Sequence, residues 1–159
     1  MILIKKKLPL RIGVGIVLLN TENKIFVGKR IDNPKNFWQM PQGGVNYGED
    51  YLSAAYRELE EETSIKNVEL IKELDGYIEY ELPSHLLGVI WKGKYKGQKQ
   101  KWFLMKFTGE EKEININTKN PEFLEWKWID LEKITDHVVD FKLNVYKEIK
   151  KRVKKILIN

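Results

Sequence analysis

Apolar and polar positions divide the first part of the chain into two predicted strands and a loop. Residues 11–20 (RIGVGIVLLN) are apolar and rich in β-branched side chains, which is typical of a buried strand. A polar turn at residues 21–23 separates them from residues 24–30, which predict a second strand. Strands joined by so short a connection predict a β-hairpin. Residues 31–36 are polar and contain Pro34, so they predict a loop.

The middle of the chain predicts further strand structure and one irregular segment. Residues 68–82 alternate roughly between apolar and polar positions around Gly76 and end before Pro83. Such alternation predicts strands that bury one face. Residues 84–97 show no clear period, so we interpret them as a loop or an irregular edge.

Two more strands are predicted in the second half of the chain. Residues 102–107 (WFLMKF) predict a strong strand, with the polar residues 98–101 before it. Residues 124–129 (LEWKWI) alternate as expected for a strand with one buried face.

Between residues 50 and 63 the apolar period becomes helical. The predicted buried stripe consists of Leu52, Ala55, Leu59 and, less strictly, Tyr56. These spacings recur on one side of a helix with 3.6 residues per turn. Asp50 stands where an N-cap residue is expected, because its side chain can accept a hydrogen bond from the first turn.

A second helical pattern runs from Phe141 to near the end of the chain. Its apolar stripe consists of Phe141, Val145, Ile149, Val153 and Ile156. The basic side chains outside that stripe are Lys147, Lys150, Lys151, Arg152, Lys154 and Lys155. This pattern predicts a helix packed on a sheet, with a basic face that is solvated or attracts RNA phosphates; the two uses are compatible. The order of strands and helices predicts a mixed sheet with helices on both sides and leaves the strand order open.

Composition narrows the class of protein. The 159 residues, 42% hydrophobic and 32% charged, predict one globular domain over residues 1–159. The absence of cysteine excludes disulfides and cysteine-ligated zinc. No apolar run reaches the roughly 20 residues of a membrane span. The apolar residues 1–4 are too few for a signal-peptide core, so we expect a cytoplasmic protein without a membrane anchor.

The net charge of +5 is open to two interpretations. A basic protein suits a polyanionic partner, such as nucleic acid or a nucleoside polyphosphate. A lysine-rich proteome explains the same charge equally well.

Four glutamates crowd the last two turns of the first predicted helix: Glu58, Glu60, Glu61 and Glu62. The like-charged i, i+4 pair and the negative end of the helix dipole both disfavour this arrangement. Glu58, Glu61 and Glu62 share one face, so their carboxylates can converge on a hard divalent cation. From the glutamates alone, a solvated acidic face is the more common outcome.

Residues 43–65 resemble the Nudix box, the signature of hydrolases that cleave a diphosphate linked to another group. The residues that match its pattern are Gly43, Glu49, Arg57, Glu58, Leu59, Glu61, Glu62 and Ile65. Ser64 departs from it, because the family has a glycine there. We therefore expect strain or a rerouted chain at the helix end. The resemblance implies an α+β Nudix fold, an α/β/α sandwich around a mixed sheet.

Two further segments narrow the resemblance. The runs WQMPQGG, ending at Gly44, and GQKQKWF, starting at Gly97, are similar to those of bacterial RNA pyrophosphohydrolases and dinucleoside polyphosphate hydrolases. The resemblance implies Mg²⁺ or Mn²⁺ held by Glu58, Glu61 and Glu62. It also implies Glu122 as a further ligand or base. Gly43 and Gly44 would bring the backbone close to metal and phosphate.

The resemblance also implies roles outside the metal ligands. Arg57 and Glu49 would orient the glutamates, and Glu60 would face solvent. Arg11 and Lys142 would contact phosphates. Phe141 would stack on a base or, equally, begin the core of the last helix. Ile12 and Leu143 replace the proline and the second basic residue that family members often have, which weakens the RNA-binding inference. His85 and His137 lack ligand spacing and are interpreted as structural or surface residues.

Three functions follow from these expectations. The first is removal of pyrophosphate from 5′-triphosphorylated RNA, which leaves a 5′-monophosphate and promotes mRNA decay. The second is hydrolysis of a dinucleoside polyphosphate such as diadenosine tetraphosphate, at the same metal site. The third is a nucleotide- or RNA-binding module without catalysis, which the intact glutamate set disfavours. A monomer is the favoured state, although the sequence leaves oligomerisation open.

Overall fold

The computed structural model describes residues 7–32 and 35–158. The predictions for residues 1–4 and for Pro34 lie outside the described residues. The strands of the described part are β1 (Leu10–Leu19), β2 (Ile25–Arg30), β3 (Trp38–Gln39), β4 (Gln42–Gly44), β5 (Val68–Glu73), β6 (Ile78–Glu81), β7 (Gly97–Phe107) and β8 (Phe123–Ile129). The long helices are α1 (Tyr51–Thr63) and α2 (Leu143–Ile158). Short 3₁₀ segments lie at Ile90–Gly93, Glu111–Glu113, Leu131–Lys133 and Asp140–Lys142.

The strands form one mixed sheet with the order β3-β2-β1-β7-β5. β1 and β7 run parallel from the pair Leu10–Gly97 to the pair Leu19–Lys106. The other pairings of the described residues are antiparallel: β1 with β2 and β4, β2 with β3 and β8, and β7 with β5 and β6. The parallel pair lies at the centre, so the buried strand β1 supports both the sheet and the segment that carries β4.

One helix packs on each face of this sheet. Alternate residues of β1 serve opposite faces, as the period of a strand requires. Val14 and Ile16 belong to the core cluster that contains Leu59 of α1. Val17 belongs to the cluster that contains Ile149 of α2. The expected α+β sandwich around a mixed sheet is therefore confirmed.

The predicted hairpin is confirmed, and one strand is longer than expected. β1 and β2 meet at the pair Leu19–Ile25. The side chain of Asn20 accepts hydrogen bonds from the backbone of the turn. Residues 98–101, predicted to precede a strand, are part of β7. Their backbone pairs with β1 on one side and β6 on the other, which outweighs the low strand propensity of their polar side chains.

Helix α1 follows most of the sequence pattern. Asp50 is the N-cap, and its carboxylate accepts a hydrogen bond from the backbone N–H of Ser53 at 2.7 Å. Ala55 and Leu59 are fully buried. The prediction for Tyr56 is wrong, because this residue is 38% exposed. Ala54 is fully buried, and a residue two positions later lies on nearly the opposite side of the helix, so Tyr56 faces away from the core.

The end of α1 at Ser64 keeps a regular geometry. Ser64 adopts the left-handed conformation, with φ 66°, and its N–H donates to the carbonyl of Glu60. Its hydroxyl donates to the carbonyl of Asn115 at 2.8 Å. The expected rerouting is therefore wrong, because serine takes the conformation that glycine adopts most easily. The expected strain remains, since a left-handed non-glycine residue costs about 1–2 kcal/mol.

Helix α2 presents its predicted apolar stripe to the sheet. Val145, Ile149 and Val153 are buried. Phe141 belongs to the 3₁₀ segment Asp140–Lys142 that leads into the helix, so the α-helix begins two residues later than the pattern suggested. None of the helices in residues 7–32 and 35–158 combines the length and apolarity needed to cross a lipid bilayer.

Candidate active site

A cleft of about 2070 Å³ lies between α1, the segment around β3 and β4, and the entry to α2. Among its lining residues are the predicted site residues Arg11, Gly43, Arg57, Glu58, Glu61, Glu62, Glu122, Phe141 and Lys142. Gly44 and Glu49 contact Arg57 from outside this lining. The fold thus brings residues from distant parts of the chain to the glutamates of α1.

Glu62 lies at the buried base of the acidic side of the cleft. Its side chain accepts a hydrogen bond from the backbone of Gln42. Within the described residues its Oε2 has no hydrogen-bond partner. Burial, followed by the nearby carboxylates of Glu58 and Glu122, raises the pKa of Glu62 well above its usual value. An unpartnered buried carboxylate oxygen is costly unless a cation or a proton compensates it.

Arg57 links the glutamates to the loop that precedes α1. Its Nε and Nη2 donate to Glu49 at 2.8 and 2.9 Å. Nη1 donates to Glu58 at 2.8 Å and to Glu61 at 3.1 Å. Nη2 also donates to the carbonyl of Gly44 at 2.7 Å. One guanidinium therefore fixes two of the predicted ligands and offsets much of the repulsion between them.

The carboxyl groups of this cluster differ in pKa and in exposure. The hydrogen bond from Arg57 lowers the pKa of Glu49 to about 2. Burial raises the pKa of Glu58, although its contact with Arg57 opposes that shift. The side chain of Glu61 is 58% exposed, whereas that of Glu58 is 15% exposed. Helical spacing placed these residues on one face, but the depth of each in the cleft differs.

Gly43 faces the carboxylate of Glu58 at very short range. A Cβ atom on residue 43 would overlap the carboxyl group of Glu58. A Cβ atom on Gly44 would lie 2.5 Å from a guanidinium nitrogen of Arg11. Neither glycine has a positive φ, so backbone conformation does not require glycine here. The reason is space, because a side chain at either position would overlap a neighbour.

Replacing Gly43 with alanine is expected to lower kcat/KM by about 100-fold, because the methyl group displaces the carboxylate of Glu58. Overpacking is expected to lower the free energy of unfolding by about 1–3 kcal/mol. Gly48→Ala is the matched control, since Gly48 has φ 78° and no atom within 4 Å of an added Cβ. It is expected to lose about 1 kcal/mol of stability and to keep its activity. Equal losses of activity in both variants would contradict this role of Gly43.

Basic side chains also line the cleft. Lys142 is buried, and its Nζ lies 3.3 Å from Oε1 of Gln39. Burial and the nearby Arg30 lower the pKa of Lys142 to about 7. Arg30 donates two hydrogen bonds to Asp32, at 2.7 and 2.6 Å. Arg11, Arg30 and Lys142 thus line the same cleft as the glutamates.

Aromatic side chains lie next to two of these basic groups. Phe141 is half-buried and lies 5.8 Å from the ring of Tyr80, between ring centroids. It lines the cleft and also packs against the core, so its position is compatible with both uses considered above. The guanidinium of Arg11 lies over the ring of Trp91, 5.4 Å from its centroid. Trp91 has φ 52°, a strained value for a tryptophan.

Glu122 and His85 line the cleft, whereas His137 is not among its lining residues. The carboxylate of Glu122 lies 3.6 Å from Arg30, and its side chain is 43% exposed. His85 and His137 are both exposed. Glu122 faces the cleft from the loop before β8, and its charge contributes to the raised pKa of Glu62.

Several residues that line the cleft were not predicted from the sequence, chief among them Arg30, Asp32, Gln39 and Trp91. Arg30 ends the second predicted strand, next to the proline-containing loop, and that position was the available signal. Trp91 lies in a segment without a period, so no pattern indicated which way it faces. Its place over Arg11 depends on the left-handed backbone at Trp91 and Lys92.

The acidic side of the cleft fits a hard divalent cation. Its donors are carboxylate oxygens, the ligands that Mg²⁺ and Mn²⁺ prefer, and Oε2 of Glu62 is buried without a partner among the described residues. Within residues 7–32 and 35–158, no three acidic or histidine side chains are already gathered into a metal cage. Ion pairs with Arg57 hold Glu58 and Glu61 instead.

Comparison with known proteins gives near-complete alignments. The chain is 75% identical over 153 residues to a Pelagibacter ubique (strain HTCC1062) protein named RNA pyrophosphohydrolase, covering 96% of this chain and 97% of that protein. A protein of the same name from Rhodospirillum rubrum is 46% identical over 142 residues, covering 89% of this chain and 86% of that protein.

Solved structures share the fold. The E. coli dihydroneopterin triphosphate pyrophosphohydrolase matches with a TM-score of 0.69 and 25% identity, over 89% of this chain and 97% of that one. A C. elegans Ap4A hydrolase matches with a TM-score of 0.61 and 18% identity, over 90% and 98% of the two chains. The family model described as NUDIX domain matches residues 9–149, and the chain therefore belongs to the NUDIX domain family.

Proposed function

We propose that the protein is a metal-dependent RNA 5′-pyrophosphohydrolase. It removes pyrophosphate from 5′-triphosphorylated RNA, leaves a 5′-monophosphate and so promotes decay of the transcript. The observation that carries this proposal is a single cleft lined by Glu58 and Glu62 together with Arg11 and Lys142. That arrangement suits a polyphosphate bound together with a cation. The names of the relatives described above support RNA as the carrier of the polyphosphate.

Glu58, Glu61 and Glu62 would hold Mg²⁺ or Mn²⁺, with Glu122 as a further ligand or base. A bound divalent ion neutralises phosphate charge and lowers the pKa of water in its shell. The roles of Gly43 and Gly44 are to keep the backbone close to this region without a side chain in the way. Such a cation matters because the charge of a triphosphate repels a nucleophile until positive charge offsets it.

The remaining residues bind and orient. Arg11, Arg30 and Lys142 would bind the oxygens of the triphosphate, since each lines the cleft together with the glutamates. Phe141 and Trp91 would stack on the first bases, a contact worth about 1–3 kcal/mol per base. Arg57 and Glu49 would act as positioning residues. Their charge-assisted hydrogen bonds set where the carboxylates of Glu58 and Glu61 lie.

Hydrolysis of a dinucleoside polyphosphate is the second candidate. The observation that favours it is the pair of aromatic side chains in one cleft, Trp91 and Phe141, which could receive one base each. A non-catalytic nucleotide-binding module is the third candidate, and it predicts binding without turnover. We further infer a single-domain, monomeric protein that acts in the cytoplasm.

The test compares substrates at one Mg²⁺ concentration. We expect kcat/KM for triphosphorylated RNA to exceed that for diadenosine tetraphosphate by about tenfold or more, because RNA gives transition-state contacts beyond the polyphosphate. The products should be pyrophosphate and 5′-monophosphorylated RNA. RNA with a 5′-hydroxyl is the control and should not react. A preference for the dinucleotide would reverse the order of the first two candidates, and binding without turnover of either substrate would favour the third.

A further inference from the structure

The basic residues of α2 fall into two groups. Those with ion-pair partners are Lys150 and Lys154, both on Glu132, and Arg152 on Glu148. Lys147, Lys151 and Lys155 are exposed, and none of them forms an ion pair with another described residue. We name these three residues the lysine stripe. Unpaired lysines keep their full positive charge for a partner outside the chain.

The lysine stripe has the spacing of a ladder along one side of α2. Its members are four residues apart, so each step rises about 6 Å along the helix axis. Two stacked nucleotides rise about 7 Å along a strand. The helix follows directly after Phe141 and Lys142, which line the candidate active site. The stripe therefore begins about 7 Å along the chain axis from Lys142 and spans about 12 Å.

A groove of about 540 Å³ adjoins the outer half of the stripe. Its charged lining residues are Lys72, Asp75, Glu148, Lys151, Arg152 and Lys155. The charge of Glu148 is offset by Arg152, whose Nε lies 2.9 Å from it. The remaining charges of the lining are one negative, on Asp75, and three positive, on Lys72, Lys151 and Lys155. A groove with this balance attracts an extended polyanion more strongly than a neutral or acidic surface does.

We propose that the lysine stripe binds the sugar-phosphate backbone of the substrate RNA downstream of its 5′ end. This inference rests on the proposed function. It adds a contact that an RNA of only two nucleotides is too short to reach. Lysine suits this task because its ammonium group binds phosphate as a point charge, without a preference for sequence. The stripe thus favours long transcripts over free nucleotides that compete for the same cleft.

The test uses two double variants that remove the same charge from neighbouring faces of α2. Lys151→Gln with Lys155→Gln removes stripe residues, and Lys150→Gln with Lys154→Gln removes lysines that are paired with Glu132. Both double variants lose two positive charges, so the long-range attraction between the protein and RNA weakens equally. A difference in RNA binding or cleavage between them therefore reports direct contact. The substrates are triphosphorylated RNAs of two and about twelve nucleotides. Binding of a twelve-nucleotide RNA with a 5′-hydroxyl, measured by fluorescence anisotropy, gives a readout that is independent of turnover.

For the double variant of Lys151 and Lys155, the stripe variant, we expect kcat/KM to fall about five- to twentyfold on the twelve-nucleotide RNA. On the two-nucleotide RNA it should fall less than twofold. For the long RNA, the slope of log kcat/KM against log salt concentration should shrink by about 1.4, because each lost phosphate contact contributes about 0.7. The control variant should change less than twofold on either RNA, and the anisotropy should follow the same order.

Equal effects of the two double variants would overturn the proposal, because they would show only the overall field of the protein. An unchanged ratio between long and short RNA in the stripe variant would also overturn it. Failure of the unmodified protein to cleave either RNA would instead refute the proposed function. In that case the anisotropy would still show whether the stripe binds RNA.

Discussion

Replacing Glu62 with glutamine is expected to lower kcat by about 10³-fold or more, while the metal-free protein remains folded. Glutamine has the same shape but lacks the negative charge that a divalent cation needs. Mutations that remove one charge-stabilising group from an active site commonly cost a factor of 10²–10³, and loss of a metal ligand removes several interactions together. The expected loss should appear in kcat as well as in kcat/KM, because the cation acts on the transition state.

The same change is expected to keep or raise stability without metal. Glu62 is buried, its pKa is raised, and its Oε2 has no hydrogen-bond partner among the described residues. A neutral amide avoids the desolvation of a carboxylate, so the free energy of unfolding should rise by about 1 kcal/mol or stay constant. A side chain that is needed for activity but lowers the free energy of unfolding is typical of a functional site.

Thermal melts with and without MgCl₂ separate these two effects. The unmodified protein should gain stability from the ion, since a ligand that binds only the folded state raises Tm. Glu62→Gln should gain much less. Glu60→Gln is the matched control on the same helix, because Glu60 is exposed and pairs with Lys66 at 3.8 Å. Undiminished turnover in Glu62→Gln, or a large loss in Glu60→Gln, would show that the metal assignment is wrong.

Local patterns were sufficient to predict most of the fold. The strand β1, the helices and the hairpin each have a strong apolar period, and the sandwich follows once both helices must cover one sheet. Residues 98–101 carry polar side chains, so their part of β7 could not be found from propensity. It exists because β1 and β6 supply hydrogen-bond partners on both sides, and those partners are distant in sequence.

The candidate site was likewise predictable only in part. Helical spacing alone places Glu58, Glu61 and Glu62 on one face of α1. Their different depths were not predictable, because the groups around Glu62 include Gln42 of β4 and Glu122 of the loop before β8, which are distant in sequence. Arg30 and Trp91 reach the cleft through tertiary packing, which leaves no periodic signal in the sequence.

Replacing Arg57 with lysine is expected to lower kcat/KM by about 100-fold and to raise the Mg²⁺ concentration for half-maximal activity by about tenfold. Groups that orient metal ligands typically contribute factors of 10–100 to metal affinity or activity. Lysine keeps the positive charge but cannot reach Glu49, Glu58, Glu61 and the carbonyl of Gly44 together, as the guanidinium does. The free energy of unfolding should fall by about 1–3 kcal/mol, since charge-assisted hydrogen bonds are lost.

The Mg²⁺ dependence is the measurement that identifies Arg57 as a positioning residue. If Arg57 only held the fold together, the variant would lose folded protein but keep the same half-saturating Mg²⁺ concentration per active molecule. Saturating Mg²⁺ should restore part of kcat, because the ion then recruits carboxylates that lysine no longer holds. Arg152→Lys is the matched control, since Arg152 bonds Glu148 at 2.9 Å on α2, outside the cleft. It should leave both kcat and the Mg²⁺ dependence on a dinucleotide RNA unchanged, and an equal shift in the two variants would refute the role assigned to Arg57.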